Sequence, residues 1–325
     1  WQKSLGGSLS DEAFSIDQTT DGGYIVAGIS ESNDSDVSGN HGLDDYWLVK
    51  LKKNGVIQWQ KSLGGSTYDD PTSIQQTSDS GYIVAGHTDS NDGDVSGNHG
   101  IGDYWIVKLD KYGGILWQKC LGGGGLDGAN AIQQTADGGY VVAGYSGSNN
   151  NQVSGNNGGF DYWVVKLKKN GFIQWQESLG GSALDVATSV QQTTDSGYIV
   201  AGYSTSRDSD VSGNKGSFDF WVVKLAKDGL SPVVSQTTNL YAERQSKNET
   251  NTSKDFTVYP NPARDILHIG TSINAVFSFL NSSGEILFTK TINDNAVINI
   301  SQLPPGNYYV RNNTTGTTEK LIVER

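Results

Sequence analysis

The sequence predicts an all-β protein: a β-propeller of four-stranded blades, followed by a small C-terminal Ig-like β-sandwich. Three observations predict this fold class. Tryptophan recurs with a period of 58 residues, each 58-residue unit contains four short β-type segments, and the 325 residues include 42 Gly and no Met. Such a composition favours turns and strands over long helices.

The repeat is clearest in the eight tryptophans, which form two series with the same spacing. A fixed period in this range is typical of solenoids, propellers and arrays, so the number of strands in one unit must decide between them. The first series consists of Trp1, Trp59, Trp117 and Trp175, and the second consists of Trp47, Trp105, Trp163 and Trp221.

Each unit contains four candidate strands, which in the second copy cover residues 73–77, 82–86, 104–109 and 115–119. Asp-Ser-Gly joins the first two strands and Gly-Gly joins the last two, and both are hairpin signals because these residues tolerate a positive φ. Four strands in one hairpin-linked unit predict one propeller blade.

The two ends of the repeat region differ from its middle. The fourth copy stops after its third strand, at residues 221–225, and the missing Trp-Gln strand occurs at residues 1–5. We therefore expect the N-terminal strand to complete the last blade and close a four-bladed ring, which would remove open sheet edges. The alternative is that the four copies form part of a larger ring.

The repeat unit also resembles a known class of proteins. The segments Trp59-Gln60-Lys61-Ser62-Leu63-Gly64-Gly65-Ser66, 79–86 and 103–109 resemble bacterial cell-surface β-propeller repeats, and the resemblance covers residues 1–230. The members of that class have diverse functions, so the resemblance implies a fold and a location rather than a chemistry.

Residues 231–253 lose the repeat and are rich in Ser, Thr, Asn, Gln and Glu, which predicts a linker. Seven short apolar segments separated by turn residues follow in residues 254–325. This spacing predicts a small β-sandwich as a second domain.

The second domain has landmarks in a fixed order: Tyr259-Pro260-Asn261-Pro262, Ser283-Gly284, 303–309 and 319–323. They resemble the C-terminal sorting domain of type IX secretion system cargo. The resemblance implies recognition by the type IX secretion machinery, a location at the outer-membrane surface or outside the cell, and usually cleavage, for which the linker is the expected place. The alternative is an ordinary sandwich that acts as a binding module.

The charge distribution limits the partners. The formal net charge is −12, and residues 233–325 contain eight basic and eight acidic residues, so the whole excess lies on the repeats. An acidic surface disfavours nucleic acid and anionic membranes and favours a cationic partner. No transmembrane segment is predicted, because no stretch approaches the roughly 20 apolar residues that span a bilayer.

The loop between the second and third strands of each unit has the spacing of a calcium loop. Counting Asp92 as position 1, oxygen side chains occupy positions 1, 3, 5 and 12 and Gly occupies position 6. The alternative is a solvated, Asx-rich connection. The third copy has Asn150 and Gln152 at positions 1 and 3, so we expect it to bind most weakly. The candidate calcium ligands are Asp34, Asp36, Ser38 and Asp45; Asp92, Asp94, Ser96 and Asp103; and Asp208, Asp210, Ser212 and Asp219.

No catalytic motif stands out, and one similar carboxylate in every repeat argues against the asymmetric surroundings that catalysis needs. We therefore expect a non-catalytic binding or interaction module with no cofactor other than calcium and with a glycan or protein as its surface ligand. The alternatives are a glycan-active enzyme or its accessory domain, and a structural adhesin. The residues expected to contact a ligand, at the start of the third strands, are Tyr46, Tyr104, Tyr162 and Phe220.

Overall fold

The chain divides into two compact units, Trp1–Gln236 and Thr237–Arg325. The computed structural model describes residues 1–227, 229, 256–259, 263–271, 275–281, 284–292, 296–315 and 317–324. All the regular secondary structure within these residues is β-strand, which confirms the all-β class. The predicted linker at 231–253 lies outside the described residues and stays a prediction.

The first unit consists of four antiparallel sheets, here named blades 1 to 4, and in each the strands follow one another in chain order. Among the described residues, blades 1 to 3 have four strands and blade 4 has three. Blade 1 contains β1 (Asp11–Gln18), β2 (Tyr24–Ser30), β3 (Asp45–Leu51) and β4 (Ile57–Leu63); blade 2 contains β5 (Asp69–Gln76), β6 (Tyr82–Thr88), β7 (Asp103–Leu109) and β8 (Ile115–Leu121). Blade 3 contains β9 (Asp127–Gln134), β10 (Tyr140–Ser146), β11 (Asp161–Leu167) and β12 (Ile173–Leu179); blade 4 contains β13 (Asp185–Gln192), β14 (Tyr198–Ser204) and β15 (Asp219–Leu225).

The core of this unit lies between the blades. Side chains alternate along a strand, so the second and third strands of a blade present two apolar faces. Face A of a blade packs on face B of the next blade. Face A comprises Ile25, Ala27, Tyr46 and Leu48 in blade 1 and the residues 58, 116 and 174 positions later in the others. Face B comprises Tyr24, Val26, Trp47 and Val49 and their equivalents.

A tyrosine and a tryptophan recur at each of these contacts. The Tyr104 ring of blade 2 lies 4.7 Å from the Trp163 ring of blade 3, and its hydroxyl donates to the Trp163 carbonyl at 2.9 Å. The same pair joins blades 1 and 2 and blades 3 and 4. This hydrogen bond satisfies a phenol that is otherwise sealed from water, so a buried polar group costs little here.

The tryptophan of each fourth strand also packs on the following blade. Trp117 lies 5.8 Å from Tyr140, and Trp59 covers Gly113 in the β7–β8 turn. Gly113 has a φ of +82°, which the turn requires and a side chain would strain. The hairpin turn and the contact between blades therefore both depend on this glycine.

The expected closure by the N-terminal strand is wrong. In the part of the chain that the structure describes, β15 pairs only with β14. Residues 1–5 lie on blade 1, where the Trp1 ring is 6.0 Å from Tyr24 and its Nε1 donates to the Lys53 carbonyl at 3.1 Å. Trp1 makes the contact with the following blade that Trp59 makes with blade 2, so residues 1–5 are held on blade 1. Closure would also need face A of blade 4 to meet face B of blade 1, but no core cluster of the described residues joins them, and Phe220 and Val222 of blade 4 are exposed.

The second unit contains two antiparallel sheets, in the orders β16-β17-β20 and β19-β18-β21-β22. They share one apolar core, which includes Phe277, Phe279 and Leu321. All seven predicted segments form strands, which confirms the small sandwich. The strands are β16 (Phe256–Tyr259), β17 (Ile266–Thr271), β18 (Ala275–Leu280), β19 (Ile286–Ile292), β20 (Ala296–Asn299), β21 (Gly306–Asn312) and β22 (Thr318–Val323).

A buried lysine ties the third strand of each blade to the turn between the first two strands. Lys50 is almost fully buried, and its Nζ donates to the Leu51 carbonyl and to Asp21, both at 3.0 Å. Hydrogen bonds from Thr19, the Gly23 amide and Lys50 lower the pKa of Asp21 to about 2. The equivalent lysine of blade 4, Lys224, makes the same bonds but is half-exposed.

We expect Lys50→Met to lower the free energy of unfolding by about 1–3 kcal/mol, since it removes the buried hydrogen bond to the Leu51 carbonyl and the ion pair with Asp21. Lys224→Met is the matched control and should cost less than about 1 kcal/mol, because water can replace the lost partner. Chemical denaturation followed by tryptophan fluorescence measures both. Equal losses in the two variants would contradict this role for burial.

Candidate functional site

The loops that carry the candidate calcium ligands meet the Gly-Gly segments that follow the fourth strands. The Ser66 amide donates to Asp92 Oδ1 at 2.7 Å, and the Asp94 amide donates to the Gly64 carbonyl at 2.9 Å. The same two bonds recur in the other copies, and in blade 3 Asn150 and Gln152 occupy the positions of Asp92 and Asp94. These loops therefore form one acidic end of the first unit, here named the loop end.

Most of the predicted calcium ligands already accept a hydrogen bond from the protein through one oxygen, while Asp45 Oδ1 and Asp103 Oδ1 are buried and have no hydrogen-bond partner among the described residues. At position 1, Asp34, Asp92 and Asp208 accept from the amides of Ser8, Ser66 and Ser182; at position 3, Asp36 and Asp210 accept from Gly6 and Gly180. At position 5, Ser38 and Ser96 accept from Gln60 and Gln118, while Ser212 is exposed. At position 12, Asp45, Asp103 and Asp219 accept from the amides of His41, His99 and Lys215.

The third copy shows what the position-1 bond requires. Asn150 replaces the aspartate there, and its Oδ1 accepts from the Gly124 amide at 2.7 Å, the same distance as in blade 2. An oxygen acceptor is therefore sufficient, and a negative charge is not needed. In the described part of the chain no three His, Cys, Asp or Glu side chains gather closely enough to hold a metal ion. Calcium binding by these loops stays a prediction.

A second carboxylate, buried in blades 2 to 4, lies beneath the Gly-Gly segment. Asp127 is sealed from water and accepts from the Gly123 amide at 2.7 Å, from Ser148 Oγ at 2.8 Å and from Ser146. Its equivalents Asp69 and Asp185 accept from the matching amides. With these bonds made to its own loop, each carboxylate acts as a tether.

The predicted ligand contact at the start of the third strands is wrong for three of its four residues. Tyr46, Tyr104 and Tyr162 are fully buried, and each hydroxyl is bonded to the next blade. Because the strand starts inside the contact between blades, these rings pack in the core. Phe220, the fourth, is 96% exposed.

A cleft of about 300 Å³ lies where the first strands of blades 1, 2 and 3 come together near the loop end. Phe14, Ile29, Pro71 and Tyr145 supply apolar surface, and Asp44, Asp70 and His87 supply polar groups. An apolar hollow with a few convergent polar groups is the usual form of a binding site. None of these cleft residues was predicted from the sequence.

The two carboxylates of the cleft have oxygens without a protein partner. Asp44 Oδ1 and Asp70 Oδ1 are shielded from water and accept no hydrogen bond. Burial, followed by the Asp70 charge, raises the pKa of Asp44, and burial raises the pKa of Asp70. The Nδ1 of His87 lies 3.7 Å from Asp70 Oδ2, and its Nε2 lies 3.7 Å from Asp89. The cleft thus concentrates negative charge beside apolar surface.

The cleft-lining positions are the ones at which the repeats differ. The position of Asp70 carries Glu12, Gly128 and Val186 in the other copies, whereas the buried Asp69 beside it is invariant among the four. The positions of Phe14, His87 and Asp44 also carry chemically different side chains from copy to copy. Comparing the four copies position by position could have pointed to this site. Residues that only build a blade can stay the same in every copy, whereas the cleft-lining positions differ.

Comparison with known proteins identifies the second unit. Residues 257–324 match the family "Secretion system C-terminal sorting domain". This confirms the predicted sorting domain, which marks the protein as cargo exported by the type IX secretion system to the cell surface or the exterior. No curated protein matches the chain. No helix that could cross a membrane is present in the part of the chain that the structure describes.

The solved structures that are similar at a low level include PorZ, an essential bacterial surface component of the type-IX secretion system of Porphyromonas gingivalis. The identity is 11%, the TM-score is 0.27, and the match covers 99% of this chain and 53% of that one. The chain thus spans about half the length of PorZ. A similarity this distant does not bear on function.

The buried carboxyls predict an unusual dependence of stability on pH. Burial raises the pKa of Asp69 to about 6 and that of Asp161 to about 7 from 3.8, so their contribution to stability is present at low pH and is lost as pH rises from about 4 to 7. Asp21 has a lowered pKa, so its contribution is lost as pH falls from about 4 to 2. We expect the melting temperature to be highest near pH 4–5.

Thermal unfolding between about pH 2.5 and pH 8 measures this dependence. Asp161→Asn, which cannot ionise, should show a smaller fall in melting temperature between pH 4 and pH 7 than the wild type. A wild-type melting temperature that rises steadily up to pH 7 would contradict the assignment.

The loop hydrogen bonds predict that Asp92→Asn is tolerated. In chelator, the variant should melt within about 2 °C of the wild type, while Asp92→Ala should melt roughly 2–4 °C lower because the Ser66 amide loses its acceptor. The same assay in millimolar calcium tests whether this loop binds the cation. A rise in the wild-type melting temperature that Asp92→Asn lacks would show metal binding at this loop.

Proposed function

We propose that the propeller repeats form a non-catalytic binding module displayed at the cell surface, and that the cleft takes up a cationic group of a protein partner. The observation that carries this proposal is the pair of shielded, unpartnered oxygens on Asp44 and Asp70, set among apolar side chains. The sorting domain supports the location, since it marks exported cargo.

The chemistry of the cleft favours an N–H-bearing cation. A shielded carboxylate oxygen without a hydrogen bond is costly, and a lysine or arginine side chain would supply both the missing donor and the opposite charge. The aliphatic stem of such a side chain would cover Phe14 and Pro71, as long basic side chains commonly do on apolar surface. The lining therefore complements the whole side chain as well as its charged end.

The charge of the repeats supports the same partner at longer range. All of the net charge of −12 lies on residues 1–232, and the candidate loops at the loop end are rich in aspartate. A surface of one sign raises the rate at which oppositely charged partners arrive, and this effect weakens with added salt. We therefore expect binding that is strongest at low ionic strength.

A glycan is the second candidate, because saccharide hydroxyls also donate to carboxylates and sugar rings pack on aromatic side chains such as Tyr145. The two candidates differ in charge dependence. Binding of a neutral sugar would respond little to salt, whereas binding of a cationic peptide would respond strongly. Hydrolysis of a polysaccharide would favour the glycan-active enzyme instead.

We expect a fluorescent octalysine peptide to bind the full chain, and Asp44→Asn/Asp70→Asn to weaken binding at least about tenfold, which corresponds to about 1.4 kcal/mol. Fluorescence anisotropy at low and high salt measures this effect. The peptide and the double variant test charge in the cleft directly.

Asp110→Asn is the matched control. Asp110 lies in the β7–β8 turn and accepts the amides of Tyr112 and Gly114, bonds that an asparagine oxygen can keep. The substitution removes one negative charge at a position outside the cleft, and it should leave the affinity for the peptide nearly unchanged. Equal weakening by the control and the double variant would reduce the effect to net charge and would overturn the assignment of the cleft.

A further inference from the structure

The backbone holds the two carboxylates of the cleft near each other. The Asp69 amide donates to the Asp44 carbonyl at 2.7 Å, which joins the residue before β3 of blade 1 to the start of β5 in blade 2. Asp70 follows directly, and both side chains line the cleft. Main-chain bonding between the blades therefore fixes where the two carboxylates lie.

The other junctions between blades show that this connection does not need the carboxylates. The same amide-to-carbonyl bond joins blades 2 and 3 at 2.8 Å and blades 3 and 4 at 2.6 Å. In those junctions the positions of Asp44 and Asp70 carry no charge. The residues there are Gly102 and Gly128 in the first junction, and Phe160 and Val186 in the second. The carboxylate pair is thus no part of the framework that joins one blade to the next.

The pair also has a cost that no contact among the described residues offsets. Asp44 Oδ1 and Asp70 Oδ1 are shielded from water and have no hydrogen-bond partner in the described part of the chain. The ring nitrogen nearest to Asp70, Nδ1 of His87, lies 3.7 Å from the other oxygen, Oδ2. Because each shielded oxygen lacks a donor, a ligand that satisfies both must carry at least two N–H groups.

A guanidinium and an ammonium differ in how they can meet two such oxygens. A guanidinium carries five N–H donors on three nitrogens in one plane, whereas an ammonium directs three donors from a single nitrogen. Donors on different nitrogens can reach acceptors on two separate carboxylates at once. Bonds between charged groups are also roughly twice as strong as neutral ones. A guanidinium is therefore the better match for Asp44 and Asp70 together.

The rest of the lining favours the same group. Ile29, Pro71 and Tyr145 supply apolar surface beside the two carboxylates. A guanidinium is more weakly hydrated than an ammonium, and its flat faces pack on aromatic rings. Moving a guanidinium from water into this lining therefore costs less free energy than moving an ammonium.

We propose that the cleft selects an arginine side chain of the partner over a lysine side chain. The inference rests on the proposed function and names its ligand group: a guanidinium that lies between Asp44 and Asp70 and donates to the Oδ1 atom of each. Arginine stays charged in proteins, so it stabilises both carboxylates in the ionised form.

Octaarginine and octalysine test this selectivity, because the two peptides carry the same charge. We expect octaarginine to bind the full chain at least about fivefold more tightly than octalysine in fluorescence anisotropy at one fixed salt concentration. Asp44→Asn/Asp70→Asn should bring the ratio of the two affinities close to one. Comparing the ratios rather than the affinities removes the general attraction of both peptides to the acidic surface.

Two further variants make the comparison specific to the cleft. Asp44→Gly/Asp70→Gly introduces the residues that the junction between blades 2 and 3 already has, so the framework accepts them, and this variant should also lose the preference for arginine. Asp110→Asn is the matched control outside the cleft and should keep the wild-type ratio.

A third peptide separates hydrogen bonding from charge. An octapeptide of dimethylarginine keeps the charge of octaarginine, but methylation blocks the paired hydrogen bonds of each guanidinium. We expect it to bind the wild type no more tightly than octalysine does. Binding as tight as that of octaarginine would contradict the proposed pair of bonds to Asp44 and Asp70.

The outcomes distinguish this inference from the proposed function. If octalysine binding depends on Asp44 and Asp70 and octaarginine binds equally tightly, the cleft takes a cation but does not select arginine, and only this inference is wrong. If the binding of neither peptide depends on the pair, the proposed function fails as well. A preference for arginine that persists in both double variants would also overturn the inference, because it would arise elsewhere on the acidic surface.

Discussion

The packing of face A of one blade on face B of the next is the interaction on which the first unit depends. Each blade is a small antiparallel sheet that could not bury its two apolar faces alone. Burying one large apolar side chain stabilises the fold by roughly 1.5–3 kcal/mol, and each face carries several of them. Blades 2 and 3 are covered on both faces, while face A of blade 4 is exposed at Phe220 and Val222.

The polar groups of the repeat serve that packing. The buried lysines bond to the turn aspartates, and the buried aspartates tether the Gly-Gly segments. The tyrosine hydroxyls donate hydrogen bonds to carbonyls of the next blade. These groups recur in nearly every copy because each blade needs them. Binding chemistry has to come from positions that are free to differ, and the cleft beside Asp70 consists of such positions. The framework and the site are therefore separate sets of residues on the same strands.

The sequence predicts much of the fold because the signals are local. Period, hairpin turns and alternation lie within one 58-residue unit, so four strands per blade and the sandwich strands follow from them. Closure does not follow, because the rotation between successive blades is set by packing between units. The position of Trp1 on Tyr24 is a contact of this kind.

The site was harder to predict for related reasons. The spacing of Asp92, Asp94, Ser96 and Asp103 is compatible with a calcium loop, but the direction of each oxygen depends on the Gly-Gly segment about half a repeat earlier. The amide of Ser66 thus takes an oxygen that the spacing alone assigns to calcium. The cleft combines residues from three blades, and no motif within one unit contains them.

The measurement that most directly tests the central role of face packing is amide hydrogen exchange of the full chain. Exchange should be slowest in β7 and β11, whose blades are covered on both faces, and markedly faster in β15, whose face A is open. Equal protection of β7, β11 and β15 would contradict the account, because it would mean that each blade is stable without its neighbours.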